Sequence, residues 1–378
     1  MFDYETLRIL WWVLLGVLLI GFAVMDGFDL GVAALLPIVA RSDVERRVLI
    51  NTVGPVWEGN QVWLILGGGA VFAAWPALYA AAFSGFYIAM FLVLCALILR
   101  PVGFKFRSKV ESPRWRLAWD TALVIGGVVP ALVFGVAMGN VLKGVPFEFD
   151  GELRMAYHGG FFGLLSPFAL LCGLVSLAMV AMHGAVYLTN KTDGAVAARA
   201  RRVVPVAALA LIVLFSLAGL WVAFGLDGYA IASAPATDGP SNPLLKTVAQ
   251  SSGAWLGNYG RMPLAIGVPA LGYAGALLAV ALTAAARPGL AFIASSLSTA
   301  GVVGTVGVST FPFLLPSSSH PGSSLTVWDA SSSRLTLLIM AGVTIIFMPV
   351  VLAYTSWVFA VLRGAVTERD IESEGHMY

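Results

Sequence analysis

An all-α, polytopic membrane protein of about nine helices, forming one helical domain over residues 1–378, is the fold class this sequence predicts. Hydrophobic residues make up 59% of the chain and charged ones only 11%, for a mean hydropathy of +0.89, outside the range of water-soluble domains. Apolar runs long enough to cross a bilayer recur along the whole length, which excludes the short alternating strands of a membrane barrel. Basic residues gather in alternate loops, as they do in multi-pass proteins.

Taken in order, the apolar runs place spans at about 8–39, 56–75, 77–100, 119–141, 161–189, 203–225, 263–285, 290–314 and 335–362. The first follows Asp3 and Glu5, where a cleavable signal would be basic, and no A-x-A site comes after it, so it reads as a retained helix. Trp11 and Trp12 near its start suit an interfacial belt. The second carries Trp57, Glu58, Asn60 and Gln61 in its first turns. It then offers Gly67-Gly68-Gly69, with Ala70, Ala73 and Ala74, as a smooth face for close helix contact. Trp75-Pro76 turns tightly into the third, which ends at Arg100-Pro101, and the fourth follows Trp115, Trp119 and Asp120 and closes near Asn140. Cys95 and Cys172 lie inside apolar runs and read as packing residues, not as a disulfide. The segments 226–262 and 315–334 are rich in Gly, Pro, Ser and Asn and read as ordered surface loops or lids, with ordinary linkers as the alternative. The tail beyond Arg363 is polar, and reads as frayed or as a short helix.

Most of the 22 lysines and arginines fall on one side of this arrangement: Arg41, Arg46 and Arg47; the cluster from Arg100 to Arg116; Lys191, Arg199, Arg201 and Arg202; Arg287; Arg363 and Arg369. The positive side is cytoplasmic, so the N-terminus is expected in the periplasm and the C-terminus in the cytoplasm.

Within the first span stands Asp26-Gly-Phe-Asp29, two carboxylates in an otherwise unbroken apolar stretch. Three residues apart on a helix they share a face, and each costs at least ~2.5 kcal/mol at membrane depth. Such a pair points to a proton or cation pathway, or to a buried cationic partner. The competing reading leaves both in the headgroup layer, met by water. The orientation above brings Asp26, Asp29, Glu58 and Arg100 from three separate spans to one level near the cytoplasmic face, as a proton entry funnel or a structural ion-pair network requires.

Absences narrow the function further. The four histidines, His158, His183, His320 and His376, include no pair at ligand spacing. The eleven methionines are scattered as packing residues are, and no nucleotide loop, nucleophile elbow or nucleic-acid groove is present.

The residues also carry a family resemblance. Asp26-Gly-Phe-Asp29-Leu-Gly31, Trp57-Glu58-Gly59-Asn60-Gln61-Val62-Trp63-Leu64, Phe72-Ala-Ala-Trp75-Pro76 and Arg100-Pro101 closely resemble subunit II of the cytochrome bd-type quinol oxidases. Gly144-Val145-Pro146-Phe147, Asp227-Gly228-Tyr229, Gly253-Ala254-Trp255, Phe311-Pro312-Phe313 and Ser324-Leu325-Thr326-Val327-Trp328-Asp329 continue the likeness in order over nearly the full length. Glu at position 58 and the start Met1-Phe2-Asp3-Tyr4-Glu5-Thr6 resemble the cyanide-insensitive branch.

The resemblance implies a heterodimeric complex of the bacterial inner membrane that oxidises quinol and reduces dioxygen to water. It implies two haems b and one haem d, all ligated by the partner subunit I, with none bound by this chain. It leaves room for a structural quinone, lipid and a small single-helix subunit, and gives no role to nucleic acid. Its functional positions fall on Asp26, Asp29 and Glu58 for proton transfer, with Trp57, Trp63 and Arg100 in support. Two alternatives remain beside this reading: a stand-alone cation- or proton-coupled transporter, and an inert scaffold whose carboxylates are locked by Arg100.

Overall fold

The computed structural model describes residues 3–233 and 236–373, the last two by backbone alone. Met1, Phe2 and His376 lie outside the described residues. Helices α1 (Tyr4–Val39), α2 (Asp43–Val53), α3 (Trp57–Ala74), α4 (Pro76–Gly85), α5 (Tyr87–Phe106) and α6 (Pro113–Lys143) come first, with one 3-10 turn at Arg107–Lys109. An antiparallel hairpin of β1 (Phe147–Phe149) and β2 (Met155–Tyr157) leads to α7 (Pro167–Lys191) and α8 (Gly194–Phe224). A second hairpin, β3 (Asp227–Ile231) with β4 (Val248–Ser252), leads to the short α9 (Gly257–Arg261), then α10 (Gly267–Ala284) and α11 (Pro288–Thr310). A third, β5 (Phe313–Leu315) with β6 (Leu325–Thr326), precedes α12 (Arg334–Val361) and α13 (Glu368–Ser373).

Among the described residues, eight helices are long and apolar enough to cross a membrane: α1, α5, α6, α7, α8, α10, α11 and α12. The expected second span is α3, only 18 residues long, and its polar first turns keep it out of that set. The expected third span, 77–100, is not one helix. It breaks at Phe86, where the ring of Tyr157 from β2 lies against Gly85 so closely that a Cβ there would come 2.5 Å from it. The run 161–189 opens with a 3-10 turn, and its helix starts only at Pro167 behind the Ser166 cap; the run 290–314 ends at Thr310, and Phe313 enters a strand. Helix α2 has no counterpart among the expected spans. Its start, Ser42-Asp43-Val44-Glu45, is a reciprocal cap in which Ser42 accepts from the Glu45 amide and Glu45 from the Ser42 amide.

Helix α1 packs against α3, α6, α7, α11 and α12. Its closest crossing is with α7, where Gly31 faces Gly184; a Cβ on Gly31 would stand 2.0 Å from the Val180 carbonyl oxygen, so only glycine permits this approach. The Gly67–Gly69 stripe behaves otherwise than expected. A Cβ on Gly67 would just reach Leu19, and Gly68 and Gly69 face open space, so most of that smooth surface is unused within this chain. Trp11 likewise leaves the expected interfacial belt: it is buried, and its indole donates to the Leu337 carbonyl at 2.9 Å. Cys95 is exposed and Cys172 is half-buried, both as free thiols.

Buried cations fasten the described parts of the long segments at the N-terminal end of α1. Arg8 is fully buried; its guanidinium donates to Ser331 Oγ and Ser241 Oγ and to the carbonyls of Thr237 and Gly239, and lies 3.7 Å from the Tyr4 ring centroid. Lys246 pairs with Asp329 at 2.9 Å and donates to the carbonyls of Pro243 and Ser324. Two loops distant in sequence are thus fastened to each other and to the first helix.

At the opposite end, Arg199 of α8 donates to the Val39 carbonyl that ends α1 and pairs with Glu45. Lys191 donates to the Leu362 carbonyl that ends α12, and α13 rests on α2 with Ile371 buried. Burial pushes the Glu45 carboxyl upward, yet the hydrogen bonds from Arg199 and from the Arg41 and Ser42 amides outweigh it and hold the group below the usual glutamate range. A depressed carboxyl adds stability above its unfolded value, about 4.3, and loses that contribution as pH falls through the folded one. Glu45→Gln should therefore cost about 1 kcal/mol near neutrality, the usual worth of a cap. In thermal melts its deficit should shrink below about pH 4; a deficit unchanged by acid would show that Glu45 acts through shape alone.

Candidate functional site

Asp26 and Asp29 project from one face of α1 into the seam with α3 and α5, and they are 0% and 1% exposed, so water does not meet them. Arg100, two-thirds of the way along α5 and itself 1% exposed, reaches across to them. Its Nη2 and Nη1 donate to the two oxygens of Asp26 at 2.6 and 3.1 Å, a bidentate pairing. Asp29 is met differently. Its Oδ2 stands 3.9 Å from Arg100 Nη2 and accepts from Asn60 Nδ2 at 2.8 Å, while Oδ1 has no hydrogen-bond partner. Room for the guanidinium comes from α6, where a Cβ on Gly126 would stand 2.9 Å from Arg100 Cγ. Two carboxylates thus confront one guanidinium in a dry seam, and the guanidinium is committed to Asp26.

Sequence reasoning placed Glu58 at the same level, but the structure does not bring it into this cluster. Glu58 is exposed on the outer face of α3 and makes no ion pair among the described residues. Asn60, two positions on, points inward and is the residue of that turn that touches Asp29. The spacing carries the reason, since positions 58 and 60 lie on opposite sides of a helix. Trp63 is buried against α1, where a Cβ on Gly21 would meet its ring at 2.4 Å, and half-buried Trp57 packs near Phe104 at 6.0 Å between centroids. Both support the seam between α3 and its neighbours.

A second polar group lies behind α1. His183 of α7 is fully buried, with Nδ1 2.8 Å from Ser295 Oγ and Nε2 2.9 Å from the Val24 carbonyl oxygen. A carbonyl only accepts, so Nε2 carries the proton, and the Ser295 hydroxyl, which also donates to the Phe292 carbonyl at 2.9 Å, has one proton to share between that oxygen and Nδ1. Both ring nitrogens are engaged in hydrogen bonds. On the same side of α1, α6, α7, α8, α10 and α11 form a half-open apolar cavity of about 610 Å³, lined in part by Phe22, Phe134, Met179, Val302 and Val306.

Fold and site together define a helical membrane subunit that holds a buried carboxylate, guanidinium and carboxylate in its first bundle, with no group of metal-ligating side chains among the described residues. Residues 7–362 match the family described as cytochrome bd terminal oxidase subunit II. The chain is 51% identical over 376 residues to the cytochrome bd-I ubiquinol oxidase subunit 2 of Escherichia coli K12, covering 100% of this chain and 99% of that one. It is 31% identical over 365 residues to the cytochrome bd ubiquinol oxidase subunit 2 of Bacillus subtilis, covering 97% and 98%. The chain belongs to the cytochrome bd terminal oxidase subunit II family. A chain of the bd oxidase from Geobacillus thermodenitrificans shares its fold, with a TM-score of 0.71 over 94% of this chain and 99% of that one, at 17% identity.

Proposed function

We propose that this chain is the non-haem subunit of a bacterial inner-membrane quinol:dioxygen oxidoreductase, and that it carries cytoplasmic protons toward the haem-bearing subunit I. Dioxygen reduction consumes protons at a site shielded from water, so a relay of exchangeable groups must reach it. The observation that carries the reading is the imbalance at Arg100: Asp26 takes both guanidinium nitrogens, and Asp29 is left with one amide and one unbonded oxygen. In a dry seam the second negative charge is the one a proton most readily removes.

Glu58 enters this reading as the group at the partner interface. An ionisable side chain on an outward helix face at membrane depth is costly against lipid and calls for a protein neighbour. The unused Gly68 and Gly69 surface lies on the same helix and admits close approach. The first turn of α3 then carries Asn60, which meets Asp29, on its inner side and a carboxylate presented to subunit I on its outer side. We place the basic ends of the helices in the cytoplasm, count α3 as a ninth span, and assign the two haems b and one haem d to subunit I, in keeping with the engaged nitrogens of His183. The apolar cavity beside α1 has the size and lining for a structural quinone. The inert scaffold is the rival that the Arg100–Asp26 pair favours. Glu58→Gln separates the two: the relay expects an assembled complex with its haem spectrum intact and oxygen consumption several-fold slower with excess quinol, and Glu58→Asp restoring much of the rate. A parent rate per haem d in Glu58→Gln would exclude Glu58 from the relay.

A further inference from the structure

Under the turn between α5 and α6, three guanidinium groups share two carboxylates. Arg107 donates through Nε and Nη2 to Asp120, at 2.5 and 3.2 Å, and through Nη2 to Asp43 at 2.9 Å. Arg46 Nη1 reaches the same Asp120 at 2.7 Å, and Arg116 Nη1 reaches Asp43 at 2.9 Å. The row Arg46, Asp120, Arg107, Asp43, Arg116 ties α2 to α6 and carries one more positive charge than negative. Every carboxylate oxygen in it is engaged. Left over and buried without partners are Arg107 Nη1, Arg46 Nε, Arg116 Nε and the Ser108 hydroxyl, and the Arg107 side chain is 1% exposed.

The shortfall is therefore one-sided, in acceptors and in negative charge. Water would bring as many donors as acceptors; a phosphate ester brings acceptors and charge alone. Arg46 and Arg116, each with a side chain 28% exposed, stand at the open edges of the row. Around them the surface is divided: Phe106, Val110, Trp115 and Leu117 are exposed and apolar, while Lys105, Lys109 and Arg114 are exposed and basic. Trp115 is fixed by its indole bond to the Phe106 carbonyl. An acyl chain suits the first set and an anionic headgroup the second.

We propose that this row binds the phosphate of an anionic phospholipid of the leaflet on its side, with the guanidinium forks on the phosphate and the chains along Phe106 and Leu117. The site is independent of the proton relay, and its test does not read turnover. The complex containing this chain is placed in phosphatidylcholine nanodiscs with and without phosphatidylglycerol. Phosphatidylglycerol should raise its melting temperature by on the order of 2–4 °C. Arg287→Gln, an exposed basic side chain outside this surface, should keep that gain, and the double variant Arg46→Gln with Arg116→Gln should lose it. If the double variant fails to assemble, Arg46→Lys with Arg116→Lys replaces it, keeping the charges and losing the forks, and should show a smaller gain. No gain in the parent, or an undiminished gain in the arginine variants, overturns the proposal. Inorganic phosphate reproducing the gain in phosphatidylcholine alone would assign the row to a soluble anion and overturn the lipid.

Discussion

Replacing Arg100 with leucine will leave little intact complex in the membrane. The substitution keeps the helix and much of the volume but leaves Asp26 with two unpaired oxygens and Asp29 without the one cation near it among the described residues, in a seam where both carboxylates are shielded from water. Breaking a buried pair by removing one partner costs about 3–5 kcal/mol, a large part of the stability of an ordinary domain. Lys105→Leu, five residues on and exposed, is the control and should assemble as the parent does. Yield of intact complex, read from co-purified haem per tagged chain, decides it. Equal yields from the two variants would mean that Arg100 is solvated in the assembled protein.

Asp29→Asn will show the opposite pattern, normal assembly with slow turnover. Asparagine fills the same space and can still meet Asn60, and Arg100 retains its bidentate partner Asp26, so nothing buried is stranded. What disappears is the exchangeable proton. Loss of a positioned acid–base group commonly slows a reaction by about 10²-fold or more, and oxygen consumption per haem d should fall on that scale. Asp26→Asn removes the bidentate partner and should behave like Arg100→Leu, losing complex before rate. If Asp29→Asn complex consumes oxygen at the parent rate, or if both aspartate variants merely scale activity with the amount assembled, the seam is a scaffold.

The membrane class and the site's participants were legible because they depend on composition and local period. Runs of apolar residues declare spans wherever they stand, and Asp26 and Asp29 declare a shared face by being three apart. Helix α2 was legible in its cap and passed over, since Ser42-Asp43-Val44-Glu45 marks a helix start in a segment too polar to be a span. The break at Phe86 was only half legible. Gly85 weakens a helix, and the ring packed against it at the break is that of Tyr157, some seventy positions away in the chain.

By itself, then, the sequence determined that the chain is a multi-helix membrane protein, that two aspartates share a helix face within one apolar run and an arginine ends another, and that no histidine pair has ligand spacing. Tertiary structure decided the pairing among them. Whether Arg100 meets Asp26 or Asp29 depends on how neighbouring helices hold α1 and α5: α1 crosses α7 at Gly31 and Gly184, and Gly126 of α6 leaves room beside the Arg100 side chain. That Asn60 turns inward and Glu58 outward depends on which face of α3 packs on α1, and Trp63 against Gly21 decides it. Local sequence fixes which residues share a helix face; the direction in which that face points is a property of packing, and packing is a sum over contacts distant in the chain.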